Sequence, residues 1–107
     1  MEEKLYRQRV DDAFRRIDAA FETVDPDLAE STFSQETLTI VFREKDGLIL
    51  SPQAPTRQIW AAFSDRAWHF GLRAQGDGWV DDRGQGIDLY ALIADLAHTT
   101  AGVTVTI

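Results

Sequence analysis

The spacing of apolar residues changes period twice along this chain, and that change limits what it can fold into. From Tyr6 to Val24 the large apolar side chains are Tyr6, Val10, Phe14, Ile17, Phe21 and Val24, with Ala13 beside them. Their spacings are threes and fours, which places them in one stripe on a helix of about five turns. Asp25-Pro26 stops that helix, because a residue before proline avoids the helical region. The period then drops to two. Leu38-Thr39-Ile40-Val41-Phe42 alternates and reads as a strand, Lys45-Asp46-Gly47 as a hairpin, and Leu48-Ile49-Leu50 as the partner strand. Pro52 and Pro55 bracket a loop. Gln58–Phe63 is the next strand, Asp65-Arg66 turns the chain into Trp68–Leu72, and Gly76-Asp77-Gly78 turns it again into Trp79-Val80. Ser31-Thr32-Phe33 adds an edge strand ahead of Leu38. After Gly84 and Gly86 the helical period returns: Asp88 is an N-cap, Leu89, Leu92, Ile93 and Leu96 form the stripe, and Gly102 ends it. Val103–Ile107 is extended by composition.

The order is therefore helix, five or six strands, helix. Connections this short imply an antiparallel meander. One sheet face is buried most cheaply under both helices, which predicts an α+β fold: a two-layer α-β sandwich in a single domain over residues 1–107. The other sheet face is left to meet water or a partner.

Charge narrows the partners. There are 18 acidic residues against 11 basic ones, a formal net charge of −7. Duplex nucleic acid and anionic membrane both call for a basic footprint, so neither is an expected partner. Cysteine is absent, which removes disulfides, thiolate metal sites and cysteine nucleophiles. No apolar run approaches the ~20 residues of a membrane span. The first residues, MEEKLYRQRV, resemble neither a signal nor a transit peptide. The expectation is a cytoplasmic protein.

The acids are unevenly placed. Between Arg16 and Arg43 there is no lysine or arginine, and the same stretch holds Asp18, Glu22, Asp25, Asp27, Glu30 and Glu36. Spacings of four and three put Asp18, Glu22 and Asp25 on one helix face, with Asp11 a heptad earlier. Asp18 and Glu22 repel by roughly 0.2–0.5 kcal/mol at i,i+4, and both approach the negative end of the helix dipole. Such a run is either a solvated acidic face or a surface for cations or a basic partner. Asp25-x-Asp27 does not make a calcium loop, because the sixth position is Glu30 rather than glycine. Exposed carboxylates suit hard cations, held weakly: Fe²⁺, Fe³⁺, Mn²⁺ and Ca²⁺ all satisfy the chemistry.

In Gln58–Phe63, alternation turns Ile59, Ala61 and Phe63 inward and leaves Trp60 on the open face beside Gln58. An exposed tryptophan with an adjacent glutamine resembles an interface anchor. His69 faces the same way from the next strand and is a candidate cation ligand. His98 falls late in the second helix, where a cation favours the dipole. No phosphate loop, nucleophile elbow or H-E-x-x-H is present, so the expectation is a binding protein rather than an enzyme.

These residues together resemble the bacterial frataxin (CyaY) family. The resemblance rests on Leu38–Phe42, Ile49-Leu50-Ser51-Pro52-Gln53-Ala54-Pro55 followed by Gln58-Ile59-Trp60, Trp68-His69-Phe70, Trp79-Val80-Asp81-Asp82-Arg83-Gly84 and the closing Ala101–Val105. It covers nearly the whole chain, although Ser51 stands where many members have asparagine. The resemblance implies an α-β sandwich. It implies weak, surface-bound iron, Fe²⁺ or Fe³⁺, on a ridge that matches Asp18, Glu22, Asp25, Asp27 and Glu30 here. It implies docking of that ridge, with Glu22, Asp25 and Asp27, on a cysteine desulfurase. Gln58 and Trp60 match the family's second contact surface, and the implied partners are the cysteine desulfurase and an iron–sulfur scaffold protein. The implied function is an iron-binding regulator of iron–sulfur cluster assembly, monomeric without iron. The alternative is a ferroxidase or iron-storage protein that oligomerises with iron.

Overall fold

A computed structural model describes residues 2–43 and 47–107. Its elements run α1 (Glu3–Phe21), β1 (Ala29–Ser34), β2 (Thr37–Phe42), β3 (Gly47–Gln53), a single 3₁₀ turn (Ala54–Thr56), β4 (Gln58–Phe63), β5 (Arg66–Leu72), β6 (Trp79–Asp81) and α2 (Leu89–Ala101). The six strands form one sheet in chain order, every neighbouring pair antiparallel. This is the expected α+β sandwich with the helices on one face.

The buried stripe of α1 is Tyr6, Val10, Ala13, Phe14, Ile17 and Phe21. It meets the inward set of the sheet, Leu38, Ile40, Phe42, Leu48, Leu50, Ile59, Ala61, Trp68, Phe70 and Trp79, and the stripe of α2, Leu89, Leu92, Ile93, Leu96, Ala97 and Ala101. The Tyr6 hydroxyl donates to the Gln58 carbonyl at 2.6 Å and ties α1 to the start of β4. Burial raises the Tyr6 pKa, against opposing effects of a backbone hydrogen bond and of Arg7 and Arg57. Asp88 caps α2 by accepting from the Ala91 N–H at 3.0 Å, and Gly102 closes it at φ 67°.

Three details differ from the sequence reading. The first helix ends at Phe21, and Val24 lies beyond it, half-buried against the core. Acidic Glu22 at the negative end of the dipole and β-branched Thr23 and Val24 both disfavour another turn. A helix face shared by Asp18, Glu22 and Asp25 is therefore not formed, because Asp25 sits in the following turn.

Pro52 does not open a loop. β3 runs through it to Gln53, with Pro52 opposite Ile59 on β4. The reason lies in the register. β2 pairs with β3 only from Leu38↔Leu50 to Val41↔Gly47, so beyond Leu50 β3 has a neighbour on one side only. A proline is tolerated on such a local edge.

The hairpin read at Lys45-Asp46-Gly47 falls largely outside the described residues, but β2 and β3 pair as it requires. Between β1 and β2 the turn uses Gln35 and Glu36, both at positive φ, as a two-residue hairpin demands. The final segment 103–107 joins no ladder. Val103 is buried, and Val105 and Ile107 pack against the core.

Candidate functional site

The acidic run divides among three places. Asp18 lies on the flank of α1 facing β1, and its carboxylate accepts a short hydrogen bond from the Ser31 hydroxyl. Glu22 caps the C-terminus of α1. Asp25 and Asp27 occupy the α1–β1 turn, where the Asp25 carboxylate accepts from the Asp27 N–H at 2.9 Å. Glu30 is on β1. Ala29 is buried and Ser31 reaches α1, so alternation sends Glu30 to the open face. Glu36, at the far end of the run, pairs with Arg7 at 3.6 Å. Among the described residues, Glu22, Asp25, Asp27 and Glu30 pair with no cation, whereas Asp11 is held by Arg15 at 3.0 Å. Among the described residues the run is thus without cation partners from Asp18 to Glu30, with Asp18 held by the Ser31 hydroxyl instead.

Among the described residues no three His, Asp or Glu side chains converge as a ready-made metal cage. The donors of the run are exposed carboxylates carried by different elements. His69 is far from them. It lies on β5, four strand spacings from β1, or roughly 19 Å at ~4.8 Å each. His98 is exposed in the last turn of α2.

The open sheet face is different in kind. Trp60 stands on it, 36% exposed, and alternation had placed it there. With it come Thr39, Val41, Ile49, Ser51, Ala62 and Ala67, none of them charged. Val41 and Ile49 are 41% and 45% exposed. Ile49, Ser51, Ala62 and Ala67 line a shallow hollow of about 140 Å³ against the Trp60 and His69 rings.

Around Trp60 four side chains close on one another. The Trp60 indole N–H donates to Gln58 Oε1 at 2.9 Å. Gln58 Nε2 donates to Asp82 Oδ2 at 3.0 Å. His69 Nδ1 lies 3.5 Å from the same Asp82 oxygen. The His69 ring stacks on Trp60, with centroids 4.3 Å apart and planes 13° from parallel. The cross-strand register Trp60↔His69 sets that stack.

Asp82 was not among the residues singled out from the sequence, nor was its neighbour Asp81. Asp81 is the one buried charged residue among those described. Its carboxylate accepts from the backbone N–H groups of Ile87 at 2.7 Å, Arg83 at 3.1 Å and Gln85 at 3.3 Å. Burial alone raises such a pKa. The three N–H donors outweigh it, and the Asp81 pKa is lowered. The loop wraps this carboxylate by passing through positive φ at Gly84 and Gly86. The available signal was alternation: with Trp79 inward, Asp81 must also point inward, and two glycines nearby allow a loop to close on it.

A family model described as a frataxin-like domain matches residues 1–103. An iron-sulfur cluster assembly protein CyaY of Cupriavidus metallidurans is 32% identical over 96% of this chain and 89% of its own length. The protein of the same name from Aeromonas salmonicida is 31% identical over 98% of this chain and 97% of its own. Among solved structures, the frataxin of Psychromonas ingrahamii superposes with a TM-score of 0.87 at 22% identity, covering 98% of this chain and 96% of that one. The trimeric yeast frataxin complexed with ferrous ion superposes at 0.64 and 21% identity, covering 96% and 88%. The fold, the family model and the relatives agree: this chain belongs to the frataxin-like (CyaY) family.

Proposed function

We propose that this protein is an iron-binding regulator and adaptor of iron–sulfur cluster assembly. It docks on a cysteine desulfurase and its scaffold protein and is not itself the catalyst. Membership of a family whose relatives carry the name iron-sulfur cluster assembly protein supports the pathway. The observation that carries the reading is the pairing of two unlike surfaces: an acidic stretch from Glu22 to Glu30 without cation partners among the described residues, and a patch of apolar and small polar side chains around Trp60 on the open sheet face.

The acidic stretch supplies long-range attraction. Its field extends over a Debye length of ~8–10 Å and favours a basic patch on the desulfurase, with Glu22, Asp25 and Asp27 at its centre. The same carboxylates, with Asp18 and Glu30, take iron as cargo. Oxygen donors suit Fe²⁺ and Fe³⁺. Carboxylates spread over a helix end, a turn and a strand supply one or two ligands per ion, with water completing the shell, so binding is weak and multi-site. Asp18 is partly committed to Ser31 and contributes less than its neighbours. His69, with Asp82 beside it, is a separate donor on the sheet face. The sheet face gives short-range affinity through Gln58 and Trp60, in contact with the scaffold protein. In this reading the protein works in the cytoplasm, as a monomer without iron.

The test is cluster assembly on purified scaffold protein, with cysteine desulfurase, Fe²⁺ and cysteine, with and without this protein. The reading requires a changed rate together with direct binding to the desulfurase. No binding and no change, with oxygen consumed in proportion to added Fe²⁺ and growth of large oligomers, would establish the storage alternative instead.

A further inference from the structure

The chain of contacts around Trp60 has a puzzling cost. Gln58, Trp60, His69 and Asp82 are all at least partly exposed, yet each is held in one rotamer by the others. Ordering side chains that water could solvate costs conformational entropy and gains little stability. The groups around them offer little steric support: of the side chains lining the hollow beside the indole, Ser51, Ala62 and Ala67 are small, and Ile49 is the one large aliphatic group.

We propose that His69 and Asp82 are positioning residues for Trp60: they fix the indole upright on the open sheet face before any partner arrives. The directions of the hydrogen bonds agree. An indole N–H can only donate and a carboxylate can only accept, so Gln58 must present its oxygen to Trp60 and its amide nitrogen to Asp82. His69 covers one face of the indole, and its Nδ1 lies 3.5 Å from the Asp82 carboxylate at the side of the ring. Only the other indole face and the edge above the hollow remain available. Asp82 in turn is placed by backbone. Its N–H donates to the His69 carbonyl at 2.9 Å, continuing the β5–β6 ladder, and the buried Asp81 carboxylate fixes the loop that follows. Immobilising a large side chain in advance removes that cost from the binding step, which is worth roughly two- to tenfold in affinity.

The inference rests on the reading of Trp60 as a contact residue only for its purpose, because the positioning itself is measurable in the free protein. The readout is ¹⁵N relaxation of the Trp60 indole N–H. In the parent it should behave as a rigid group, with an order parameter near the ~0.85 of ordered backbone. Asp82→Ala and His69→Ala should drop it below about 0.6 and speed exchange with water, with melting temperature unchanged. His69→Phe keeps the stack and should restore rigidity. It is the control for a merely structural effect. In binding to purified scaffold protein in the presence of cysteine desulfurase, the two alanine variants should dissociate two- to tenfold faster, and His69→Phe by less. An indole equally rigid in all variants overturns the inference, whatever the partner does. An indole that loosens while binding is unaffected by Trp60→Ala leaves the positioning established and sinks the contact role.

Discussion

The two faces of one sheet carry different chemistry. On the helix side, Leu38, Ile40, Leu48, Leu50, Ile59 and Phe70 are fully buried. One residue along each strand, on the other side, stand Thr39, Val41, Ile49, Ser51, Trp60 and His69, all partly or largely exposed. The first face is explained by folding alone, since burying each large apolar side chain contributes roughly 1.5–3 kcal/mol. The second is not: an exposed tryptophan held by Gln58 and His69, with Asp82 behind them, stabilises the monomer little. What folding leaves unexplained is where recognition is to be sought.

The sharpest way to break this contrast is to truncate one tryptophan on each face. Trp79 is fully buried, edge-on to Tyr6 at a centroid distance of 6.4 Å. Trp79→Ala should cost about 3–5 kcal/mol and leave the protein largely unfolded at growth temperature. Trp60→Ala should cost under about 1 kcal/mol by denaturant titration. Equal losses would mean that the open face is core.

Asp81 sharpens the comparison from the inside, because it anchors the loop that delivers Asp82 to the open face. Its native pKa is lowered, so in the interval below the ordinary aspartate value near 3.9 the unfolded chain holds the proton and the native state does not. The stability it contributes is complete above that value and is lost as pH falls through the native pKa. Asp81→Asn should flatten the acid limb of the melting-temperature profile and lower stability at neutral pH. A profile unchanged in the variant would show that the loop is held by other means.

The third test concerns the acidic end of α1. Glu22 faces the helix dipole with the wrong sign, and among the described residues its acidic neighbours have no cations beside them. Glu22→Lys with Asp25→Lys and Asp27→Lys should raise the melting temperature at low salt by about 1–4 °C and flatten its dependence on NaCl. A lower melting temperature would mean that these carboxylates serve the fold. Asp25, with its bond to the Asp27 N–H, is the first suspect.

The sequence carried much of this. The period change located both helices and the central strands, because a residue buried on one face must repeat at 3.6 or at 2, and turn residues marked the shorter strands, with the edge strand β1 left open in a count of five or six. Alternation alone set Trp60 outward. The failures came where distant pairing overrode local preference. Pro52 was read as a loop residue because nothing in its neighbourhood says that β2 stops short of it. The end of α1 was placed three residues late because Val24 fits the stripe and still packs on the core after the helix has ended. Asp82 escaped notice because its role depends on Gln58 and His69, which meet it only across the β4–β5–β6 register.

In the proposed mode of action the acidic stretch steers encounter and the Trp60 face holds the complex. Association and dissociation rates with cysteine desulfurase and scaffold protein, at low and high salt, test it directly. The triple lysine variant should associate more slowly, with a flatter salt dependence and little change in dissociation. Trp60→Ala should lose about 2 kcal/mol, roughly thirtyfold, almost all of it in faster dissociation and nearly independent of salt. Both variants altering the same rate constant with the same salt dependence, or Trp60→Ala leaving the complex intact, would contradict the account.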